Sequence, residues 1–131
     1  MNVTIYSRIN ILTTMERWHV AKDFSDPIYN YLVYGYEPGG FFTAVLANDW
    51  MGAIQRSHPS NTIEALKSIS GWINECMPKQ CWGNYDKVGK WVHATEEYRR
   101  TILEKSGLIF NSKDETWMAL QGKPAIEPIL W

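Results

Sequence analysis

The residues best suited to chemistry in this sequence are two cysteines and three histidines. Cys76 and Cys81 lie five positions apart across a proline, unlike the C-x₂₋₄-C spacing of zinc sites, and the chain has no second cysteine pair. A nucleophilic site needs Ser, Cys or Thr beside a base, but His19, His58 and His93 lie in no recognised catalytic motif. The sequence therefore predicts free thiols, no metal, no cofactor and a protein that is not an enzyme.

A pair of glycines precedes a stretch of sequence that is expected to be helical. Gly39 and Gly40 follow Tyr36 and Pro38, and backbone N–H groups at the start of a helix can bind an anion. The same glycines can serve only the geometry of the turn, because Pro-Gly strongly favours one. Both interpretations stay open from the sequence.

Asp49 is the most unusual polar residue, because it falls on an apolar helical face. A helix over residues 41–56 is predicted, and at 100° per residue the carboxylate lies among Phe42, Val45, Leu46 and Ala53. An isolated charge there would be costly. We therefore expect Asp49 to be a structural residue that accepts hydrogen bonds from loop N–H groups or pairs with Arg56. The alternative is a carboxylate that faces a ligand in a pocket rimmed by tryptophan.

Helical periodicity dominates the middle of the chain. Helices are expected from Asp26-Pro27 to Gly35, over 41–56, from Asn61 to Pro78, from Asn84 onward, and from Thr95 to Gly107. The last two can also be a single bent helix. This pattern predicts a bundle of about four to five helices over residues 26–106.

Two segments outside the bundle are expected to be β-structure. Residues 2–12 carry apolar side chains at alternate positions, which is typical of a half-buried strand. Residues 108–120 have the pattern of a β-hairpin with a polar turn, the alternative being a loop and a short helix at 115–120. The predicted fold class is therefore mainly α (α+β), as a single domain over residues 1–131. Its hairpin and docked, extended tail occupy residues 107–131.

The composition is that of an ordinary globular domain, with 45% hydrophobic and 21% charged residues. A net charge of −1 without a basic cluster argues against binding to duplex nucleic acid. The densest basic spot, Arg99-Arg100, is flanked by glutamates and predicts a solvated helix face with i,i+4 pairing. No apolar run approaches the roughly 18 residues of a membrane span. We expect a cytoplasmic protein that does not bind membranes.

One part of the chain resembles a group of short proteins encoded by tailed bacteriophages. The resemblance rests on Tyr36–Asp49, which carries a PGGF-x-x-AVL-x-ND pattern, followed by Cys81-Trp82-Gly83 and by Trp91-Val92. It covers about residues 26–93 and departs from the group's pattern at Trp50, where leucine is usual. No activity is established for the group, so the resemblance implies a viral origin and a location in the host cytoplasm.

Two loops are the predicted binding surface, because both precede helix starts that a bundle would place at the same end. The residues concerned are Tyr36, Pro38, Gly39, Gly40, Trp82, Gly83 and Asn84. Trp82 can instead be a plug that closes the end of the bundle.

Aromatic residues make up 14% of the chain and suit the anchors of a protein interface. The sequence therefore favours an accessory protein that binds a host protein, such as a defence or transcription component, and inhibits or redirects it stoichiometrically. The alternative is a protein that sequesters a small ligand or nucleotide signal. Homo-oligomers stay open, because apolar stripes bury equally well within a monomer or across a dimer.

Overall fold

The structure is a computed structural model that describes residues 3–111, 113 and 114. In this part of the chain, seven α-helices and one 3₁₀ turn follow one another, without a strand. They are α1 Ile5–Arg17, α2 Lys22–Tyr34, α3 Gly40–Leu46, α4 Trp50–Arg56, α5 Ile63–Cys76, the 3₁₀ turn Lys79–Cys81, α6 Tyr85–His93 and α7 Glu96–Lys105. The predicted antiparallel β element is therefore wrong for the described residues.

The N-terminal segment that was predicted to be a strand is helix α1. Ser7, Ile11, Leu12 and Met15 are its buried residues, and their spacing of four, one and three follows the turn of a helix. The alternation of apolar residues over 2–12 is too short to distinguish the period of a strand from the period of a helix. The apolar positions that follow it fit the helical period.

The first half of the predicted hairpin closes helix α7. Gly107 has a φ of +78°, and the N–H groups of Leu108 and Ile109 donate to the carbonyl of Leu103 at 3.1 and 3.3 Å. Both side chains are buried. The rest of the predicted hairpin, at 115–120, and the predicted docked tail lie outside the described residues.

Helix α1 holds this closing segment through its polar side chains. The Asn10 amide donates to the carbonyls of Gly107 and Leu108, each at 3.0 Å. The buried Ser7 hydroxyl accepts from the N–H of Phe110 at 2.9 Å. The first helix is thus attached to the end of the last one.

The predicted helix over 41–56 is two helices, and Asn48-Asp49 is the break. Asn48 adopts a left-handed φ of +60°, its N–H donates to Val45, and the Asp49 N–H donates back to Ala44 at 2.9 Å. This is a Schellman closure with asparagine at the left-handed position. The Asp49 side chain then accepts from the N–H of Gly52 at 3.0 Å and begins α4.

The remaining helices begin close to the capping residues that the sequence indicated. Thr62, Asn84 and Thr95 each accept the N–H three residues ahead with a side-chain oxygen, so α6 and α7 are separate helices. Helix α2 starts a turn earlier than predicted and contains Pro27. The aromatic ring of Phe24 packs against two phenylalanines of α3, and this contact accounts for the earlier start.

Helix α2 lies at the centre of the core. Ile28, Tyr31, Leu32 and Val33 are fully buried, and the Tyr31 hydroxyl donates to the carbonyl of Cys81 at 2.6 Å. Helix α6 is fixed to α2 by the Trp91 indole, which donates to the Tyr31 carbonyl at 3.0 Å. On the other side of the core, the Trp72 indole joins α5 to α1 by donating to Thr14.

Arg99 is the exception among the charged residues, because its side chain is only 5% exposed. The guanidinium donates to the carbonyl of Val33 near the end of α2 and to the carbonyl of Ala94 after α6. The prediction of a solvated face is therefore wrong for Arg99, although Arg100 does form a half-exposed i,i+4 pair with Glu104 at 3.7 Å. Carbonyl oxygens at helix C-termini carry partial negative charge and favour a cation.

Gly35 makes room for this guanidinium. It ends α2 with a left-handed φ of +69°, and a Cβ at that position would lie 2.8 Å from an Nη atom of Arg99. The backbone conformation and the close approach both require glycine there.

In the part of the chain that the structure describes, none of the helices combines the length and apolar character needed to cross a membrane.

Replacing Arg99 tests how strongly the helix ends depend on it. Arg99→Met keeps most of the side-chain volume but leaves two buried carbonyl groups without their donor, so the free energy of unfolding should fall by about 2–4 kcal/mol. Arg100→Met removes a half-exposed ion pair and should cost no more than about 1 kcal/mol. Denaturant unfolding of both variants measures the difference, and equal losses would contradict the role given to Arg99.

Candidate functional site: a groove lined by tryptophans

The structure separates the two loops that were predicted to form one surface. Gly39 and Gly40 lie at the start of α3, whereas the N–H of Gly83 donates to Leu46 at the end of α3, at 2.8 Å. The seven residues of α3 span about 10 Å. Successive helices of the predicted bundle alternate in direction. Because residues 41–56 form two helices instead of one, α6 is the third helix after α3 and runs antiparallel to it. Their N-termini therefore lie at opposite ends.

The glycine pair borders a small cleft against α6. The cleft encloses about 340 Å³ and is lined by Glu37, Pro38, Gly39, Gly40, Thr43, Tyr85, Val88, Gly89, Val92 and His93. Tyr36, which directly precedes Glu37, does not line this cleft, and its exposed ring stacks on Tyr34 with centroids 5.3 Å apart. Because α3 is short, its dipole adds little attraction for an anion at this cleft.

Trp82 lies in a different groove, between the α3–α4 turn and α5. This tryptophan groove encloses about 390 Å³, and its lining residues are Val45, Asn48, Trp50, Ser70, Gly71, Ile73, Asn74 and Trp82. None of these described residues is charged. Of the other predicted site residues, Gly83 bonds to α3, and Asn84 caps α6 by accepting from Lys87 at 2.8 Å.

Local hydrogen bonds fix the two indoles of the groove. The Trp50 indole donates to the Asn48 side chain at 3.0 Å, and the Trp82 indole donates to the carbonyl of Met77 at 3.3 Å. Both rings are half-buried against the core. The left-handed asparagine that ends α3 thus also orients the first tryptophan of α4.

A third tryptophan lies against the same stretch of α5. A Cβ on Gly71 would come within 2.7 Å of the Trp18 ring, so the indole rests directly on the helix backbone, and it is 38% exposed. Burial raises the pKa of the neighbouring Cys76 thiol, and a hydrogen bond from Trp18 partly opposes that shift.

The apolar surface continues from the groove onto α4. Trp50, Met51 and Ile54 fall within an arc of about 100° of that helix, and Met51 and Ile54 are 71% and 59% exposed. The opposite face, which contains Gly52 and Ala53, is buried. Exposed apolar side chains grouped in this way are typical of interaction surfaces.

The Asp49 carboxylate lies beside this surface and is held by hydrogen bonds from two other residues. One carboxylate oxygen accepts from the N–H of Gly52, and the other accepts from the Tyr85 hydroxyl at 2.5 Å. The bond from Tyr85, the Gly52 N–H and the charge of Arg56 lower the pKa of Asp49, and the same bond raises the pKa of Tyr85. A side chain on Gly52 would overlap the carboxylate. The cluster therefore ties α6 to the start of α4.

The thiols and the other metal-ligating residues do not assemble into a site within the described ranges. Cys76 and Cys81 are both free, and burial raises the pKa of the Cys81 thiol well above its ordinary value. Among the described residues there is no group of three or more His, Cys, Asp or Glu side chains that could hold a metal ion.

Comparison with protein-family models, with curated proteins and with solved structures finds no match for this chain. Its function is therefore inferred from the geometry of its own residues.

Only part of the tryptophan groove could be predicted from the sequence. Trp82 was a predicted site residue, whereas Trp50 stood out only as a departure from the phage pattern. Trp18 and Val20 could continue a second strand by their pattern, and Trp18 is far from α5 in sequence, so nothing local indicated that its ring rests on Gly71. The absence of a side chain at Gly71 is the feature that brings Trp18 onto α5.

Adding a methyl group at Gly71 tests this contact. Gly71→Ala should push the Trp18 ring away and lower the free energy of unfolding by about 1–2 kcal/mol. It should also speed the reaction of Cys76 with a thiol reagent in the native protein, because the indole no longer contacts the thiol.

The matched control is Gly89→Ala in α6, where a Cβ meets nothing within 4 Å. This variant should gain up to about 1 kcal/mol from helix propensity and leave the reactivity of Cys76 unchanged. If both alanines stabilise the protein equally, Trp18 does not pack as described.

Acid stability tests the role of Asp49. Since its pKa is lowered below 3.8 in the folded state, Asp49 adds stability above that pH, and this contribution is lost as the pH falls through the lowered pKa. Asp49→Asn keeps a capping oxygen but carries no charge. The variant should therefore melt at a lower temperature than the wild type at neutral pH, and the difference should shrink in acid.

Thermal melts across the acid range measure this, with Asp86→Asn as the control. The Asp86 carboxylate forms an exposed i,i+4 pair with Lys90 at 3.0 Å, and an exposed pair contributes little. If the melting temperatures of Asp49→Asn and the wild type differ by the same amount at every pH, the charge of Asp49 does not contribute to stability.

Proposed function

We propose that this chain is a phage-encoded accessory protein that binds a host protein through the tryptophan groove and the adjoining face of α4. The observation that carries the proposal is the uncharged groove lined by Trp50 and Trp82, together with the exposed Met51 and Ile54 on the adjoining face of α4. Tryptophan is enriched among the residues that dominate binding energy at protein interfaces. The phage-like pattern in residues 26–93 supports the viral origin, and the proposed location is the host cytoplasm.

The lining of the groove favours an apolar anchor on the partner. The polar groups available are the amides of Asn48 and Asn74 and the hydroxyl of Ser70, which can pair with the backbone of a bound segment. A charged anchor would lose its water and find no opposite charge among the lining residues, which is costly. We therefore propose that an apolar side chain of a host protein segment inserts between Trp50 and Trp82.

Binding of this kind gives the protein a stoichiometric mode of action. A bound segment that is covered by the groove and by α4 is withheld from its normal contacts in the host. The host protein would thereby be inhibited or redirected.

Capture from a bacterial lysate tests the proposal. The tagged wild-type protein should retain one host protein in a stoichiometric complex. Met51→Glu introduces a charge at a largely exposed position of the surface, so the fold should be kept while affinity falls at least about tenfold, as expected at an interface anchor. Trp50→Ser should have a larger effect, because it removes an indole from the groove.

The control is Tyr98→Ser, which removes an exposed aromatic ring from α7, outside the groove. It should bind the same host protein with wild-type affinity. Hydrogen exchange on the purified complex should show protection over α4 and residues 70–74. A partner that binds both groove variants at full affinity, or the absence of any stoichiometric partner, would overturn the proposal.

A further inference from the structure

A second concave site lies where α6 ends and α7 begins. It encloses about 560 Å³, and its lining residues are Gln80, Lys87, Lys90, Trp91, His93, Ala94, Thr95 and Tyr98. This volume is within the range of small-molecule sites, about 300–1,000 Å³. The site shares no residue with the tryptophan groove.

The charges that line this cleft have one sign. These charges are the ammonium groups of Lys87 and Lys90, which lie three residues apart on one side of α6, and no carboxylate is among the lining residues. The Lys87 ammonium donates one hydrogen bond to the carbonyl of Lys79 at 3.2 Å. That contact positions the ammonium and leaves two of its three donors for a ligand.

Lys90 can be recruited without a large loss of stability. Its ammonium pairs with Asp86 at 3.0 Å, but both side chains are more than 70% exposed, and such pairs contribute little. An anionic ligand in the cleft can therefore compete for Lys90 with the Asp86 carboxylate.

Aromatic side chains line another side of the cleft. The ring of Tyr98 is 48% exposed and packs edge-on against buried Trp91, with centroids 6.3 Å apart. Trp91 is itself fixed by its hydrogen bond to Tyr31. The orientation of the Tyr98 ring is thus set by the core, and the ring is exposed enough for a planar group to stack on it.

From these contacts we propose that the cleft between α6 and α7 binds a small aromatic anion of the nucleoside phosphate class. The phosphate lies against the ammonium groups of Lys87 and Lys90, and the base stacks on Tyr98. Gln80 and Thr95 supply uncharged polar groups at the rim. Inorganic phosphate lacks the stacking group and a nucleoside lacks the charge, so each half alone binds weakly.

Calorimetric titration of the full chain tests this with four probes: adenosine monophosphate, adenosine diphosphate, adenosine and inorganic phosphate. The two nucleotides should bind with 1:1 stoichiometry and at least tenfold more tightly than adenosine or phosphate. The double variant Lys87→Gln/Lys90→Gln and the single variant Tyr98→Leu should each weaken nucleotide binding at least tenfold.

The matched control is Lys67→Gln/Lys105→Gln, which makes the same change in net charge at exposed lysines outside the cleft. It should keep wild-type affinity for the nucleotides. The absence of saturable binding at millimolar nucleotide, or equal weakening by both double variants, would overturn the proposal. Capture of the host protein should be unchanged in Lys87→Gln/Lys90→Gln, so failure at this cleft is distinguishable from failure at the tryptophan groove.

Discussion

The buried guanidinium of Arg99 holds together the ends of three helices. It satisfies carbonyl groups at the C-termini of α2 and α6 while belonging to the first turn of α7. Burying a cation is unfavourable unless it is well hydrogen-bonded, so the two helix ends must meet where the guanidinium can reach both. The α6–α7 junction, and with it the cationic cleft, takes its geometry from this requirement. Gly35 is the residue that lets α2 end close enough.

A second constraint is the break between α3 and α4, which sets the other surface. Asn48 closes one helix and orients Trp50, and Asp49 begins the next and accepts from Tyr85 of α6. Two adjacent polar residues thus direct an apolar face outward, because they turn the chain before α4 can continue the buried stripe of α3. The tryptophan groove is a product of short-range hydrogen bonds as much as of packing.

These two features also explain what could be predicted from sequence. Helix starts at Asn84 and Thr95 and the end at Gly35 were predictable, because their signals are local and agree with the apolar period. The break at Asn48-Asp49 was missed because the apolar stripe across 41–56 outweighed two poor helix formers. Trp18 was missed because its contact with Gly71 is distant in sequence. The α6–α7 cleft was missed although its lining residues lie within 80–98, because the junction takes its geometry from the distant hydrogen bond of Arg99 to Val33. Arg99 could not be recognised as buried, because the Arg99-Arg100 pair is flanked by glutamates, as is usual on a solvated helix face.

The attachment of α1 to residues 107–110 has a consequence for synthesis. The hydrogen bonds from Asn10 and to Ser7 join residues 97, 98 and 103 positions apart. Helix α1 therefore cannot reach its final partners until residues 107–110 have left the ribosome. Closing so long a loop is entropically costly, and distant contacts slow folding. During translation, the apolar face of α1 therefore stays exposed, or packs only against α2 and α5, until the end of α7 has been synthesised.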